Sequence, residues 1–197
     1  IPFRIENIKT IVDLILHNGG VVDPSWHQRL TLLSFTEIFY FRQLLLLNSD
    51  QRKALFSYVS ELLFNRNLEV REAASKALSG MVHCSPTKER EDMIHYYIGE
   101  YAKILQKYKK LSRKQKKTQK KFSQADSVTL HGASLGLGAL ISAFPYLSPP
   151  PSWFPDVLGL LANNSYGISG VVDKTSKGIL SNFKKTRQET WNIDRKI

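Results

Sequence analysis

A serine between two glycines is the first pattern in this chain whose residue types could do chemistry. Gly132, Ser134 and Gly136 match the nucleophile elbow of α/β hydrolases, in which a sharp strand-to-helix turn exposes a reactive serine. The surrounding residues 128–144 instead carry apolar side chains at helical spacing, and no set of strands elsewhere could build the required sheet. We therefore interpret the small residues as a helix-contact surface and disfavour a serine hydrolase.

Histidine and cysteine residues give no ligand set for a metal. The five histidines are scattered along the chain, and the single cysteine, Cys84, has one histidine beside it, His83. A zinc site needs four protein ligands, or three ligands and a water. Gly136 and Gly138 lack the third glycine and the preceding strand of a dinucleotide-binding loop. The sequence therefore predicts a protein that is not an enzyme and has no metal and no cofactor.

The positive charge of the chain is concentrated in one segment. The net charge is +11, and ten Lys or Arg residues and no acid lie between Lys103 and Lys121. Such a run is typical of a nuclear-import signal, a contact for nucleic acid or a patch for an acidic protein, and a solvated loop has the same composition. Few aromatic residues are interleaved for base stacking, which makes nucleic acid the less favoured partner. The predicted import or acidic-partner patch comprises Lys107, Lys109, Lys110, Arg113, Lys114, Lys116, Lys117, Lys120 and Lys121.

The spacing of apolar residues predicts helices on both sides of this segment. Residues 65–82 place their apolar side chains on one stripe of an α-helix and resemble the second helix of a HEAT repeat. A shift of 98 residues, or two repeats of 49, places Val70 on Ile168 and Met81 on Ile179 without a gap. The predicted fold is all-α, a HEAT-like α-solenoid of about four antiparallel helix pairs. Its predicted repeat-interface core is Val70, Ala73, Ala74, Ala77, Leu78, Met81, Ile168, Val171, Val172 and Ile179.

The second predicted helix is apolar on nearly every side. It begins after Pro24 or Ser25, runs to about Leu47 and carries large apolar residues such as Phe35, Ile38 and Phe41. A helix of this kind must be covered on several faces. We therefore expect it to lie in the middle of a stack of repeats and not at a polar-faced end.

Composition divides the chain into three segments. Helical repeats are predicted for residues 1–111 and 128–197, and the lysine-rich residues 112–127, where the apolar periodicity fades, are predicted to form an exposed, mobile insertion in one continuous solenoid. Apolar runs stay below about 18 residues, so no membrane span is predicted. One cysteine fits a reducing compartment. Because the chain lacks an initiating methionine and a polar tail, we expect it to be a piece of a larger protein.

Several segments, taken together and in order, resemble one family: the very large HEAT-repeat activators that cap the proteasome core particle without ATP, and most closely its fungal members. The lysine-rich insertion before His131 is also a feature of that family. The segments that carry the resemblance are 68–73, 131–139, 151–155 and 181–186, followed by Trp191.

The resemblance implies a non-catalytic function. Members of the family bind the α-ring of the core particle and insert a C-terminal tail, a hydrophobic residue, a tyrosine and a last residue, which opens the gate for peptides and unfolded proteins. Ile197 comes before such a tail, so this chain would be the helical base that supports it. Nuclear and cytoplasmic localisation is expected. The alternative is a HEAT scaffold of the nuclear-transport type that binds partner proteins.

A further site of the family is not expected here. Some members are credited with binding acetyl-lysine, as in acetylated histones, through an Asn-Phe pair just after the cysteine equivalent to Cys84. This chain has Ser85 and Pro86 at those positions and lacks the amide that would hold the acetyl carbonyl. We therefore do not extend acetylated-histone recognition to this chain.

Overall fold

The computed structural model describes residues 5–118, 123–144, 146–147, 149–164 and 170–187. These residues form eight α-helices, one short 3-10 helix at Asn18–Gly20 and no strand, which confirms the predicted all-α fold. Eight helices are the number that four helix pairs require. The helices are α1 (Ile5–Leu16), α2 (Trp26–Gln43), α3 (Ser49–Leu62), α4 (Leu68–Cys84), α5 (Thr87–Thr118), α6 (Gln124–Ser142), α7 (Phe154–Asn164) and α8 (Gly170–Arg187). None of the helices in these ranges is both long and apolar enough to cross a membrane.

Local sequence signals set the helix ends. Ser25, Asn48 and Ser123 each form a capping box with the residue three positions later, which satisfies free N–H groups at the starts of α2, α3 and α6. The cap of α3 is Asn48, the residue just before the helix. At Asn67, the residue before α4, the side chain makes no capping bond; its backbone N–H donates to Asn65 Oδ1 at 3.0 Å.

The chain forms two compact units, Ile1–Asp92 and Met93–Ile197. In the first unit α1 packs on α3, α2 packs on α4, and α3 packs on α4. Alternate helices stacked in this way are the arrangement expected of helical-hairpin repeats. The α4 stripe contributes to the core, where Val70, Ala74, Ala77, Leu78 and Met81 are buried.

A polar tie joins three helix ends of the first unit. Arg52 of α3 binds Glu89 through two hydrogen bonds, Nε to Oε2 at 2.7 Å and Nη2 to Oε1 at 2.5 Å. Its Nη1 also donates to the carbonyls of Leu44 and Leu47, just beyond α2. Arg52 therefore holds the end of α2 and the first turn of α5 against the start of α3.

The second unit is built on close approach of α6 to its neighbours. In this unit α6 and α7 both pack on α8. Gly136 faces the ring of buried Tyr101, and a Cβ atom at Gly138 would lie 2.6 Å from Ile179 Cδ1. The interpretation of the glycines of α6 as small-residue helix contacts therefore agrees with the packing around them. At the other end of the unit, the Phe154 ring contacts the Phe183 ring at a centroid distance of 6.0 Å.

The proposed internal repeat is matched by burial. Phe56, Val59, Leu63 and Ala74 are at most 1% exposed, and so are the residues 98 positions later, Phe154, Val157, Leu161 and Val172. Each copy therefore buries equivalent positions within its own unit.

One predicted core residue is misplaced. Val171 is 52% exposed, whereas Val172 and Ser176 are fully buried and Phe183 is half-buried. The buried stripe of α8 passes through 172, 176, 179 and 183 at spacings of four, three and four, and Val171 lies about 100° to one side of it. Of the other predicted core positions, Ala73 and Ile179 are half-buried, and Ile168 lies outside the described residues.

Helical structure extends into the predicted insertion from both sides. α5 continues to Thr118, and α6 begins at Gln124, four residues before the predicted start at Val128. The residues from Ser112 to Thr118 contain no glycine or proline and are mostly Lys, Arg and Gln, which have high helix propensity. The apolar periodicity faded because the helix loses an apolar face there, not because the helix ends.

Candidate functional site

Ser134 lies where a catalytic serine cannot work. It is in the middle of α6, it is fully buried, and its hydroxyl has no hydrogen-bond partner among the residues that the structure describes. A nucleophile elbow instead holds its serine at an exposed turn. His131, one turn earlier on α6, hydrogen-bonds through Nε2 to Thr175 Oγ1 at 2.9 Å. The geometry around Ser134 is that of a packed helix contact.

Cys84 is not placed as a nucleophile or a metal ligand. Burial, and to a smaller extent the carboxylate of Glu37, raise the pKa of its thiol, which disfavours the reactive thiolate. Within the described ranges, no three His, Cys, Asp or Glu side chains come together in a group that could hold a metal ion.

Ser85 is part of the core of the first unit. It is 4% exposed; its hydroxyl donates to the Met81 carbonyl at 2.7 Å and shares a 2.6 Å hydrogen bond with the Tyr40 hydroxyl. Burial raises the pKa of Tyr40 to about 12, so this contact is between two neutral hydroxyls at neutral pH. Both hydroxyls are therefore used within the core, and neither is presented to a ligand.

The basic patch begins on a regular helix. Lys107 and Lys110 are exposed and Lys109 is half-buried on α5, whereas the helix backbone alone is described at Arg113, Lys114, Lys116 and Lys117. Residues 103, 107, 110, 114 and 117 follow each other at spacings of three or four and therefore share one stripe of the helix. At 1.5 Å per residue this stripe is about 20 Å long. Lys120 and Lys121 lie outside the described residues.

Tyr108 anchors the basic helix to α6. It is 7% exposed, and its hydroxyl donates to Asp126 Oδ1 at 2.9 Å. Burial and this bond raise the pKa of Tyr108. Hydrogen bonds from Ser123, then the bond from Tyr108 and the charge of Lys107, lower the pKa of Asp126. Asp126 therefore stays ionised at neutral pH and ties the lysine stripe to the cap of α6.

The charges of the patch are only slightly compensated in the described part of the chain. Lys103, one turn before the patch, pairs with Glu100 at 2.6 Å, but both side chains are well exposed, so the pair contributes little to stability. Lys107 Nζ lies 5.8 Å from the centroid of the Tyr108 ring. The stripe of positive charge therefore starts from a helix that Tyr108 anchors to α6, and such a stripe can attract an extended acidic surface. Its use as an import signal or partner site stays a prediction.

A second basic surface was missed in the sequence. Lys174, Lys177, Lys184 and Lys185 are exposed on α8, where Asp173 is the one acidic residue of the helix. The sequence did contain a signal for this surface, because the spacings between the four lysines are three, seven and one. On a helix these spacings place all four side chains on the side opposite Val172. They were overlooked because they do not form a continuous run.

The known proteins that this chain resembles all carry the name of proteasome activator. Residues 127–197 match a family described as proteasome activator complex subunit 4-like, C-terminal. The chain is 35% identical over 195 residues to proteasome activator BLM10 of Saccharomyces cerevisiae, a match that covers 98% of this chain and 9% of the yeast protein. It is 34% identical over 173 residues to human proteasome activator complex subunit 4, covering 85% of this chain and 9% of that protein.

A plant relative extends the comparison. Proteasome activator subunit 4 of Arabidopsis thaliana is 26% identical over 194 residues, covering 98% of this chain and 10% of that protein. The chain thus spans about a tenth of the length of the relatives it matches. The resemblance drawn from the sequence motifs is confirmed, and a fungal member fits the yeast match. The chain belongs to the family of large proteasome activators, and residues 127–197 match the C-terminal region of that family.

Proposed function

We propose that this chain is the C-terminal part of a non-catalytic activator that binds the α-ring of the proteasome core particle and opens its gate without ATP for peptides and unfolded proteins. The observation that carries this proposal is the match, over nearly the whole chain, to proteins named as proteasome activators. The buried Ser134 and the unactivated Cys84 fit a regulatory part better than a catalytic one.

The helices of the second unit would act as a rigid base. A tail that follows α8 would start from a helix held by Val172, Ser176 and Phe183, through which α8 packs on α6 and α7. Anchoring a tail on a rigid support reduces the conformational entropy that it loses when it docks. The role of this chain is thus to hold the gate-opening residues at a fixed position.

The test is peptide hydrolysis by latent core particles. Fluorogenic-peptide cleavage is measured with the full-length protein, intact or without its last three residues, in buffer with and without ATP. We expect stimulation by the intact protein in both buffers and none by the truncated protein. A Ser134→Ala variant should stimulate like the wild type. Failure of the intact protein both to stimulate and to bind the core particle would favour the scaffold alternative.

We also propose that the basic patch directs the protein to the nucleus, which gives the expected nuclear and cytoplasmic distribution. Its support is the concentration of charge around it: ten Lys or Arg residues and no acid lie between Lys103 and Lys121. Import is tested by replacing Lys114, Lys116, Lys117 and Lys120 with glutamine in the tagged full-length protein, which should move it toward the cytoplasm. The matched control replaces the four exposed α8 lysines. If the first variant still accumulates in the nucleus, the patch is not an import signal, and the interpretations as an acidic-partner site or a solvated segment remain.

A further inference from the structure

The outer face of α2 carries large apolar side chains that stay partly or largely exposed among the residues that the structure describes. Phe35 is 42% exposed, Ile38 55%, Phe41 65% and, just beyond the helix, Leu45 95%. The helical spacing of 38, 41 and 45 places these three within about 60° of one another, and Phe35 borders them. A contiguous patch of this kind marks an interaction surface and not an ordinary water-facing side.

The opposite face of α2 is already covered. Leu33, Thr36 and Tyr40 are at most 1% exposed and lie on the side that packs on α4. That contact is close, because a Cβ atom at Gly80 of α4 would be 3.0 Å from Glu37 Oε1. α2 therefore has two apolar faces on opposite sides. The sequence indicated that several faces must be covered, and the described residues cover one of the two.

A helix of this chain that does face water has a different surface. The exposed side of α8 carries Lys174, Lys177, Lys184 and Lys185 and a single large apolar residue, Val171. A polar outer face of this type is what the last repeat of a stack requires for solubility. The outer face of α2 is instead that of an interior layer.

The family relatives indicate what covers it. They are about ten times longer than the matched segment, and the match to their C-terminal region begins at residue 127. Most of their length therefore lies N-terminal to the segment that this chain represents. We infer that in the full-length protein the outer face of α2, formed by Phe35, Ile38, Phe41 and Leu45, packs against an apolar helix of the preceding helical pair, as the inner face packs on α4.

Hydroxyl-radical footprinting of the full-length protein tests this inference. The oxidation rate of Phe41 and Phe35 is compared in the native and the denatured protein, and Tyr96, which is 63% exposed on α5, serves as the control. We expect the phenylalanines to be oxidised at least about fivefold more slowly in the native protein, because buried side chains are out of reach of solvent. Tyr96 should change by less than about twofold, in keeping with its exposure. Weaker protection of Phe41 would overturn the inference.

Two further measurements identify the covering partner. Protection that falls as the protein is diluted would show that a second copy covers the face, which would also overturn the inference. In the full-length protein, Phe41→Lys should increase oxidation of residues in the segment N-terminal to this chain several-fold, because it separates the two layers. Tyr96→Lys is the matched control and should leave that segment unchanged. If Phe41→Lys prevents folding, the protection of Phe41 and Phe35 in the wild-type protein still decides whether the face is covered.

Discussion

At the scale of single residues, the glycines are of two kinds: at some a side chain would collide with a neighbour, and at others there is room for one. A Cβ atom at Gly136 would overlap the buried ring of Tyr101, whereas Gly99 on α5 has nothing within 4 Å of the same position. We expect Gly136→Ala to lower the stability of the second unit by about 1–3 kcal/mol through overpacking. Gly99→Ala should raise it by about 0.5 kcal/mol, because alanine favours a helix. Native-state hydrogen exchange of the α6 amides measures both, and equal effects would contradict the close contact.

Ser134 provides a second residue-scale test. Its hydroxyl is fully buried and has no hydrogen-bond partner within the described part of the chain. Removing such a group relieves a desolvation cost, so Ser134→Ala should leave the stability of α6 unchanged or raise it by up to about 1 kcal/mol. Hydrogen exchange measures the stability. A large destabilisation would reveal a partner for the hydroxyl.

The Arg52–Glu89 pair predicts a pH dependence. The hydrogen bonds and charge of Arg52 lower the pKa of Glu89. A carboxyl whose folded pKa is depressed stabilises the fold above its unfolded pKa of about 4.3. That stability is lost as pH falls through the folded pKa. We expect Glu89→Gln to destabilise the first unit at pH 7 by roughly 1–2 kcal/mol and to have no effect once Glu89 is protonated.

The stability difference between the wild type and Glu89→Gln is measured from pH 7 downward by hydrogen exchange of the α3 amides, corrected for the intrinsic effect of pH on exchange. Glu91→Gln is the control, because Glu91 is exposed two residues away and its replacement should change stability by less than about 0.5 kcal/mol. A Glu89→Gln effect that persists unchanged in acid would show that the ion pair is not its cause.

At the scale of whole helices, α4 and α8 differ in how well spacing alone located the buried stripe. Val70 is fully buried on α4, whereas Val171 on α8, the counterpart of half-buried Ala73 98 residues earlier, is 52% exposed. Val70→Asp should therefore cost several kcal/mol, about 3 or more, because it buries a charge. Val171→Asp should change stability by less than about 0.5 kcal/mol. Hydrogen-exchange protection of α4 and α8 measures the two costs. Equal losses of stability would show that Val171 is buried after all.

At the scale of the whole molecule, each of the two units has its own buried core, around Val59 and Val70 in one and around Leu137 and Val172 in the other. We expect Val70→Asp to increase hydrogen exchange first in α1 to α4, and Gly136→Ala to increase it first in α6 to α8, because local openings follow cooperative units. An equal increase throughout the chain for either variant would show that the units open together.

The sequence by itself determined the helices, the family and the main helix boundaries. Helical periodicity, the absence of strand patterns and capping residues such as Ser25 act locally, so they can be read from neighbouring residues. The small residues of α6 also signalled close packing before Tyr101 was known to supply the contact. The lysine patch was evident because its charges form one run, whereas those of α8 are spaced along a helix.

Only the tertiary structure decided which side of each helix is buried. The placement of Val171, the bond from Tyr108 to Asp126 and the second apolar face of α2 depend on residues far apart in the chain. Burial is a property of the surrounding helices. A one-residue shift rotates a side chain by about 100°, so an apolar pattern gives the helix but leaves the exact edge of its buried stripe open.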